Sequence, residues 1–108
     1  MSSSLQDEYN AYRSQLQRLS EKISELQTEA HEHKLVLDTL EGCEPTRRCL
    51  RMVGGILIDK TVGEVRPTLQ ETHQGLEKAM KTLRDDMKST EQKLEDWKKK
   101  NNVKIVSQ

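Results

Sequence analysis

Phenylalanine is absent from this 108-residue chain, and its only aromatics are Tyr9, Tyr12 and Trp97. With 32% of residues hydrophobic and 33% charged, it lacks the bulk to fill a wide globular core. It suits thin apolar seams between helices. Cysteine is scarce, with Cys43 and Cys49 alone. A small secreted domain resting on disulfides usually carries more, so reduced thiols are expected. No apolar run is long enough to cross a membrane. The opening Met-Ser-Ser-Ser-Leu-Gln-Asp-Glu has no basic segment followed by an apolar one, so no secretory signal is expected and a cytoplasmic location is. Neither charge dominates, with 18 basic and 18 acidic residues. That balance gives no overall bias toward nucleic acid or an acidic membrane.

What is present is periodicity. Leu5, Tyr9, Tyr12, Leu16, Leu19, Ile23, Leu26, Ala30, His33, Leu37 and Leu40 follow alternating steps of four and three. This is a heptad seam, the signature of a coiled coil. Neither Gly nor Pro precedes Gly42, so one long helix is expected, capped by Ser2, Ser3 or Ser4. Gly42, suited to a left-handed terminal position, and Pro45 end it.

Cys49–Val53 and Ile56–Lys60 are two short apolar runs around Gly54-Gly55. Both glycines can take positive φ, as a two-residue type I′ turn requires. Val53 then faces Ile56, Met52 faces Leu57 and Arg51 faces Ile58. Apolar residues fall on both faces, where a solvated hairpin keeps one face polar. A lone hairpin is also marginal in water and has two open edges. It therefore calls for partners.

A second heptad helix follows. Thr61-Val-Gly-Glu64 has the form of a capping box. Pro67 removes a helical hydrogen bond, so either the first turn is irregular or the regular helix starts near Pro67. The seam is expected at Val62, Val65, Leu69, Thr72, Leu76, Met80, Leu83, Met87, Thr90, Leu94 and Trp97. Two steps of four meet at Leu76, a stutter that locally unwinds a supercoil. The helix is expected to fray near Asn101-Asn102. Residues 1–41 carry net charge −4 and residues 61–108 carry +2. Arms of opposite sign favour folding back as an antiparallel pair.

Chemistry-bearing motifs are thin. His31 and His33 point about 200° apart on a helix and cannot share one ion. Cys43 and Cys49 lack a second pair for zinc and show no base or pocket for nucleophilic work. Gly54-Gly55 lacks the remainder of a phosphate loop. The carboxylates lie beside Lys and Arg on helix faces, with no acid–base couple marked out. No catalytic residue, metal site or cofactor is expected. Lys98-Lys99-Lys100 reads as a solvated helix end or as a contact for an acidic partner. More informative are Leu5, Tyr9 and Tyr12 on one arm with Trp97, Val103, Ile105 and Val106 on the other. Together they form either seam packing with a disordered tail or an apolar surface for a partner.

The stretch from Glu44 to Val62, Glu-Pro-Thr-Arg-Arg-Cys-Leu-Arg-Met-Val-Gly-Gly-Ile-Leu-Ile-Asp-Lys-Thr-Val, resembles the signature of β-type prefoldin subunits. Similar too are Glu32–Leu40 upstream, Val65–Leu69 downstream and Trp97–Ile105 near the end. The Arg-Met-Val-Gly-Gly stretch set between heptads is the specific part. The resemblance implies a hetero-hexamer of two α-type and four β-type subunits. Their hairpins join into a β-barrel base from which coiled coils hang. It implies that the tips, without ATP, hold non-native polypeptides, above all actin and tubulin chains, and pass them to the cytosolic chaperonin.

The fold expected is mainly α: a long antiparallel two-helix coiled coil joined by a single β-hairpin, in one domain over residues 1–108. Its helices run over about 4–41 and 62–101, and its hairpin over about 48–60. The function expected is that of a non-enzymatic chaperone subunit, with neither nucleic acid nor membrane among its partners. The assembly residues are Leu50, Met52, Val53, Gly54, Gly55, Ile56, Leu57 and Ile58; the client-binding residues are Leu5, Tyr9, Tyr12, Trp97, Val103 and Ile105. The alternatives are a nucleic-acid-binding helical arm, which calls for a basic stripe, and a structural spacer, which needs no aromatics at its tip.

Overall fold

The computed structural model describes residues 2–106, with side chains from Ser4 to Val106. The side chains of Ser2 and Ser3, two of the three expected caps, lie outside the described set. Four elements follow in order: α1 (Ser2–Glu41), β1 (Arg48–Val53), β2 (Ile56–Thr61) and α2 (Val62–Lys100). They fall into two compact units. The hairpin unit is Leu26–Ala79; the terminal unit joins the chain up to Glu25 with the chain from Met80 onward.

In the hairpin unit, Gly54 (φ 56°) and Gly55 (φ 82°) both take the left-handed backbone of the turn. This sets the antiparallel register Val53↔Ile56, Met52↔Leu57, Arg51↔Ile58, Leu50↔Asp59, Cys49↔Lys60 and Arg48↔Thr61. The Arg48 guanidinium reaches diagonally across the strands, with Nε donating to Asp59 Oδ1 at 3.3 Å and Nη2 donating to Oδ2. That hydrogen bond, with the arginine's charge, holds the Asp59 carboxyl below its usual range and raises the Arg48 guanidinium.

The junction between hairpin and second helix is densely bonded. Thr61 is the last residue of β2 and also the cap of α2. Its hydroxyl accepts from the Glu64 N–H (3.3 Å) and donates to Glu64 Oε1 (3.0 Å), while its own N–H donates to the same oxygen (3.4 Å). This is the capping box. The next two donors go to the preceding loop: Val62 N–H to Arg47 O and Gly63 N–H to Pro45 O, both at 2.9 Å. A Cβ on Gly63 would lie 3.2 Å from the Pro45 carbonyl oxygen and 3.3 Å from its Cβ, tighter than an ordinary contact, so the close approach favours glycine. With its first donors satisfied, the helix starts at Val62 and runs through Pro67; a start near Pro67 does not form. Gly63, whose carbonyl the proline leaves without its helical partner, is exposed and open to water.

The end of α1 differs from expectation. Gly42 is not left-handed; the only glycines with positive φ are Gly54 and Gly55. Instead the Cys43 N–H turns back to Leu40 O at 3.0 Å. The Arg66 guanidinium, from α2, donates to the carbonyls of Leu40 and Cys43. A cation bonded to the final carbonyls does the work of a left-handed cap.

Within this unit the covered seam is Leu26, Ala30, His33, Leu37 and Leu40 against Val62, Val65, Leu69, His73 and Leu76. His73 thus takes the place expected of Thr72, which is exposed and donates its hydroxyl to Thr68 O at 3.0 Å. The stutter accordingly falls at Leu69, two residues after Pro67, and not at Leu76. An imidazole can bury its ring and keep a polar edge in reach of water and Glu77 (3.6 Å). In the terminal unit the seam is Tyr9, Tyr12, Leu16, Leu19 and Ile23 against Met80, Leu83, Met87, Thr90, Leu94 and Trp97. The buried Thr90 hydroxyl is satisfied by Asp86 O at 2.9 Å.

Two predictions follow from these contacts. Thr61→Ala removes the cap and is expected to destabilise the fold by about 1 kcal/mol, read as a lowered urea midpoint, with Glu64→Gln losing less. The carbon-13 NMR titration of Asp59 is expected to fall below the ordinary 3.8 and to return to it in Arg48→Gln. A lowered carboxyl stabilises the hairpin above its ordinary value, and the effect is lost as pH falls through the lowered one. Because the pair is on the surface, salt weakens it.

Candidate functional site

Two surfaces gather the residues that the sequence singles out. The first is the hairpin. Leu50, Met52, Val53, Ile56, Leu57 and Ile58 are each between 38% and 68% exposed. Cys49 and Arg51 on β1 are half-buried, alternating with the open Leu50 and Met52. On β2 Ile56 to Asp59 are exposed, and Lys60 and Thr61 are half-buried. The sheet has two strands, so the outward N–H and C=O groups of both edges have no strand beside them among the described residues. Covering six such side chains is worth roughly 6 kcal/mol before the costs of association.

Sequence periodicity missed two open aliphatics on α1, one of which adjoins this surface. Leu35 and Val36 on α1 are 53% and 46% exposed and lie off the heptad seam. Val36 joins Leu40, Leu50, Met52, Val65 and Leu69 around a groove of about 380 Å³. The available signal was two adjacent aliphatics at polar positions of the heptad. Both cysteines are half-buried free thiols. The Cys43 thiol points to Thr39 O (3.7 Å) and accepts from Arg47 (3.8 Å). His33 lies in the seam and donates from Nδ1 to Glu29 O at 2.9 Å, while His31 is exposed. Among the described residues no group of three acidic, His or Cys side chains could hold a metal ion.

The second surface lies in the terminal unit, where all three aromatics meet. Trp97 stacks on Tyr9 with ring centroids 6.3 Å apart at 29°, and tilts against Tyr12 at 6.1 Å and 56°. Its indole N–H donates to Glu8 Oε2 at 3.0 Å, a clamp between α1 and α2 that the seam pattern did not reveal. Trp97 is thus buried, while Leu5 is 38% exposed.

α2 stops just before Asn101-Asn102, in a defined cap. Asn102 takes φ 54°, its N–H bonds Lys99 O (3.2 Å), and the Val103 N–H bonds Lys98 O (2.9 Å). This is a Schellman ending with Asn at the left-handed position, which asparagine tolerates. Lys98–Lys100 occupy the last turn, where cations suit the helix dipole. The cap turns the chain back, and Val103–Val106 line a cleft of about 360 Å³ together with Leu5, Gln6, Tyr9 and Trp97. The structure therefore brings together Leu5, Tyr9, Trp97, Val103 and Ile105, and places Tyr12 behind them on the indole.

Comparison with known proteins agrees with this geometry. A family model described as "Prefoldin subunit" matches residues 3–108. The chain is 44% identical over 104 residues to the probable prefoldin subunit 2 of Schizosaccharomyces pombe, covering 96% of this chain and 91% of that protein. It is 35% identical over 100 residues to human prefoldin subunit 2, covering 93% of this chain and 65% of the human protein. Among solved structures, the prefoldin beta subunit of Thermococcus strain KS-1 shares its fold with a TM-score of 0.78 at 23% identity, covering 87% of this chain and 82% of that one. Two long helices joined by a glycine-turned hairpin, carrying this match over nearly their full length, place the chain in the prefoldin family.

Proposed function

We propose that this chain is an ATP-independent chaperone subunit working inside a hetero-hexamer of two α-type and four β-type prefoldin subunits. The observation that carries the reading is the hairpin, whose two faces are apolar and open and whose two edges lack partner strands. Joining such hairpins edge to edge satisfies the backbone, and closing them into a barrel base buries the face turned inward and leaves the other for a further layer. Membership of the family supports the assembly, and the match covers the hairpin as well as both helices.

The terminal unit is the working surface on this reading. Its cleft offers aromatic and aliphatic side chains with polar handles to a non-native chain, of the actin and tubulin type, in the cytoplasm. Each contact is weak. Several arms engaging one client give avidity without tight binding at any single arm. Weak contacts also release the client readily to the cytosolic chaperonin. The reading requires no cofactor and assigns no catalytic residue. It is favoured over a nucleic-acid-binding arm by the −4 charge of residues 1–41.

Two experiments test these roles separately. Ile56→Asp with Ile58→Asp is expected to abolish co-purification with α-type partners while most helicity, by circular dichroism, survives. A full complex recovered with the double variant would contradict the assembly role. Leu5→Ser with Tyr9→Ser is expected to leave the complex intact by size-exclusion chromatography. It should weaken suppression of aggregation of chemically unfolded actin severalfold. Undiminished suppression would move client binding to another part of the arms.

A further inference from the structure

The segment after the α2 cap, Val103-Lys104-Ile105, is a wall shared by two clefts of the terminal unit. One is the apolar cleft with Leu5, Tyr9 and Trp97. The other, of about 420 Å³, is completed by Glu95, Lys98, Lys99 and Asn102. Its charges are not balanced. Lys98 Nζ pairs with Glu95 at 3.3 Å. The carboxylates beside them in the chain or against the indole are also engaged: Asp96 accepts from the Gln92 amide at 2.9 Å, and Glu8 accepts from Trp97. Asp7 lines neither cleft. Lys99 and Lys104 are exposed and, among the described residues, have no ion pair and no side-chain hydrogen bond. Both line the second cleft, so a carboxylate entering it draws on two uncommitted cations at once. An ammonium group on a long stem is a mobile point charge and accepts a carboxylate in many geometries.

We propose that the two clefts act as one bipartite surface, which selects non-native segments whose aliphatic residues are flanked by aspartate or glutamate. The apolar cleft takes the aliphatic side chains, and Lys99 and Lys104 take the acidic flank across the shared wall. This deepens the proposed chaperone role by naming the class of client segment, and it rests on that role. The occupant is an unfolded chain because the cations adjoin an apolar cleft; a folded acidic partner would need only the charges. The attraction is electrostatic and exposed, so it adds selectivity and speed of capture more than tightness, and salt weakens it.

The test uses the reconstituted complex in which this chain alone carries carbon-13 methyl groups, so that Val103 and Ile105 report binding at this arm. The probes are two peptides with the same Val-Ile-Val core, one flanked by aspartates and the other by glutamines. At low salt the aspartate peptide is expected to bind about three- to tenfold more tightly, as two exposed ion pairs allow. The preference is expected to shrink in high salt. It should vanish in Lys99→Gln with Lys104→Gln, which leaves the glutamine peptide's affinity unchanged. Equal binding of the two peptides, a preference that survives the double variant, or no methyl shift with either peptide would overturn the bipartite surface. So would a double variant that loses only the binding of a folded acidic protein, which would assign the cations to a docking partner. Suppression of unfolded-actin aggregation by the wild-type complex is measured alongside. If it is present, any of these results leaves the chaperone role standing; if it is absent, the chaperone reading fails and the selectivity falls with it.

Discussion

Backbone groups on the edge of a sheet must find partners, and a two-stranded hairpin cannot supply its own. Around Gly54-Gly55 the described residues make six cross-strand pairs and no more. It spends scarce aliphatic residues on both faces, in a chain only 32% hydrophobic. A sequence selected for the stability of an isolated subunit would place Leu50, Met52, Leu57 and Ile58 in a core. Their exposure, together with that of Leu35 and Val36, is understandable if the missing layers come from other subunits.

The loop and helix ends are built to hold that hairpin in place. Thr61 ends a strand and begins a helix within one residue, the Pro45 and Arg47 carbonyls take the first two free donors, and Arg66 reaches the last carbonyls of α1. The hairpin therefore does not hang on a flexible linker. Gly63 permits the approach of Pro45, and Pro67 is tolerated because the turn before it is already anchored. In the terminal unit the design differs. One buried indole, hydrogen-bonded to Glu8 and packed on two tyrosines, joins the helices, while the surrounding aliphatics stay partly open.

Features governed by local periodicity were legible in the sequence. The α1 seam from Tyr9 to Leu40 and the hairpin register follow directly from steps of three and four and from two adjacent glycines. Contacts between residues distant in sequence were not. Nothing local marks Arg66 as the partner of Leu40, Gly63 as the neighbour of Pro45, or Glu8 as the acceptor for Trp97. The choice of Thr72 over His73 failed because a hydropathy pattern undervalues an imidazole that buries its ring and keeps its edge wet. The stop near Asn101-Asn102 was legible, but the left-handed asparagine cap that makes it was not, and the turn that sets Val103–Val106 along the cleft depends on that cap.

The most direct measurement of the central claim is hydrogen–deuterium exchange across residues 48–61, made on the chain alone and on the chain assembled with its partner subunits. Edge amides that lack a partner strand exchange rapidly and become protected once another strand pairs with them. Both β1 and β2 are expected to become strongly protected on assembly, with the Thr61–Glu64 junction protected in either state. Equal exchange of the hairpin in the two states would show that its edges and faces remain open in the complex, and would contradict its role as the assembly surface.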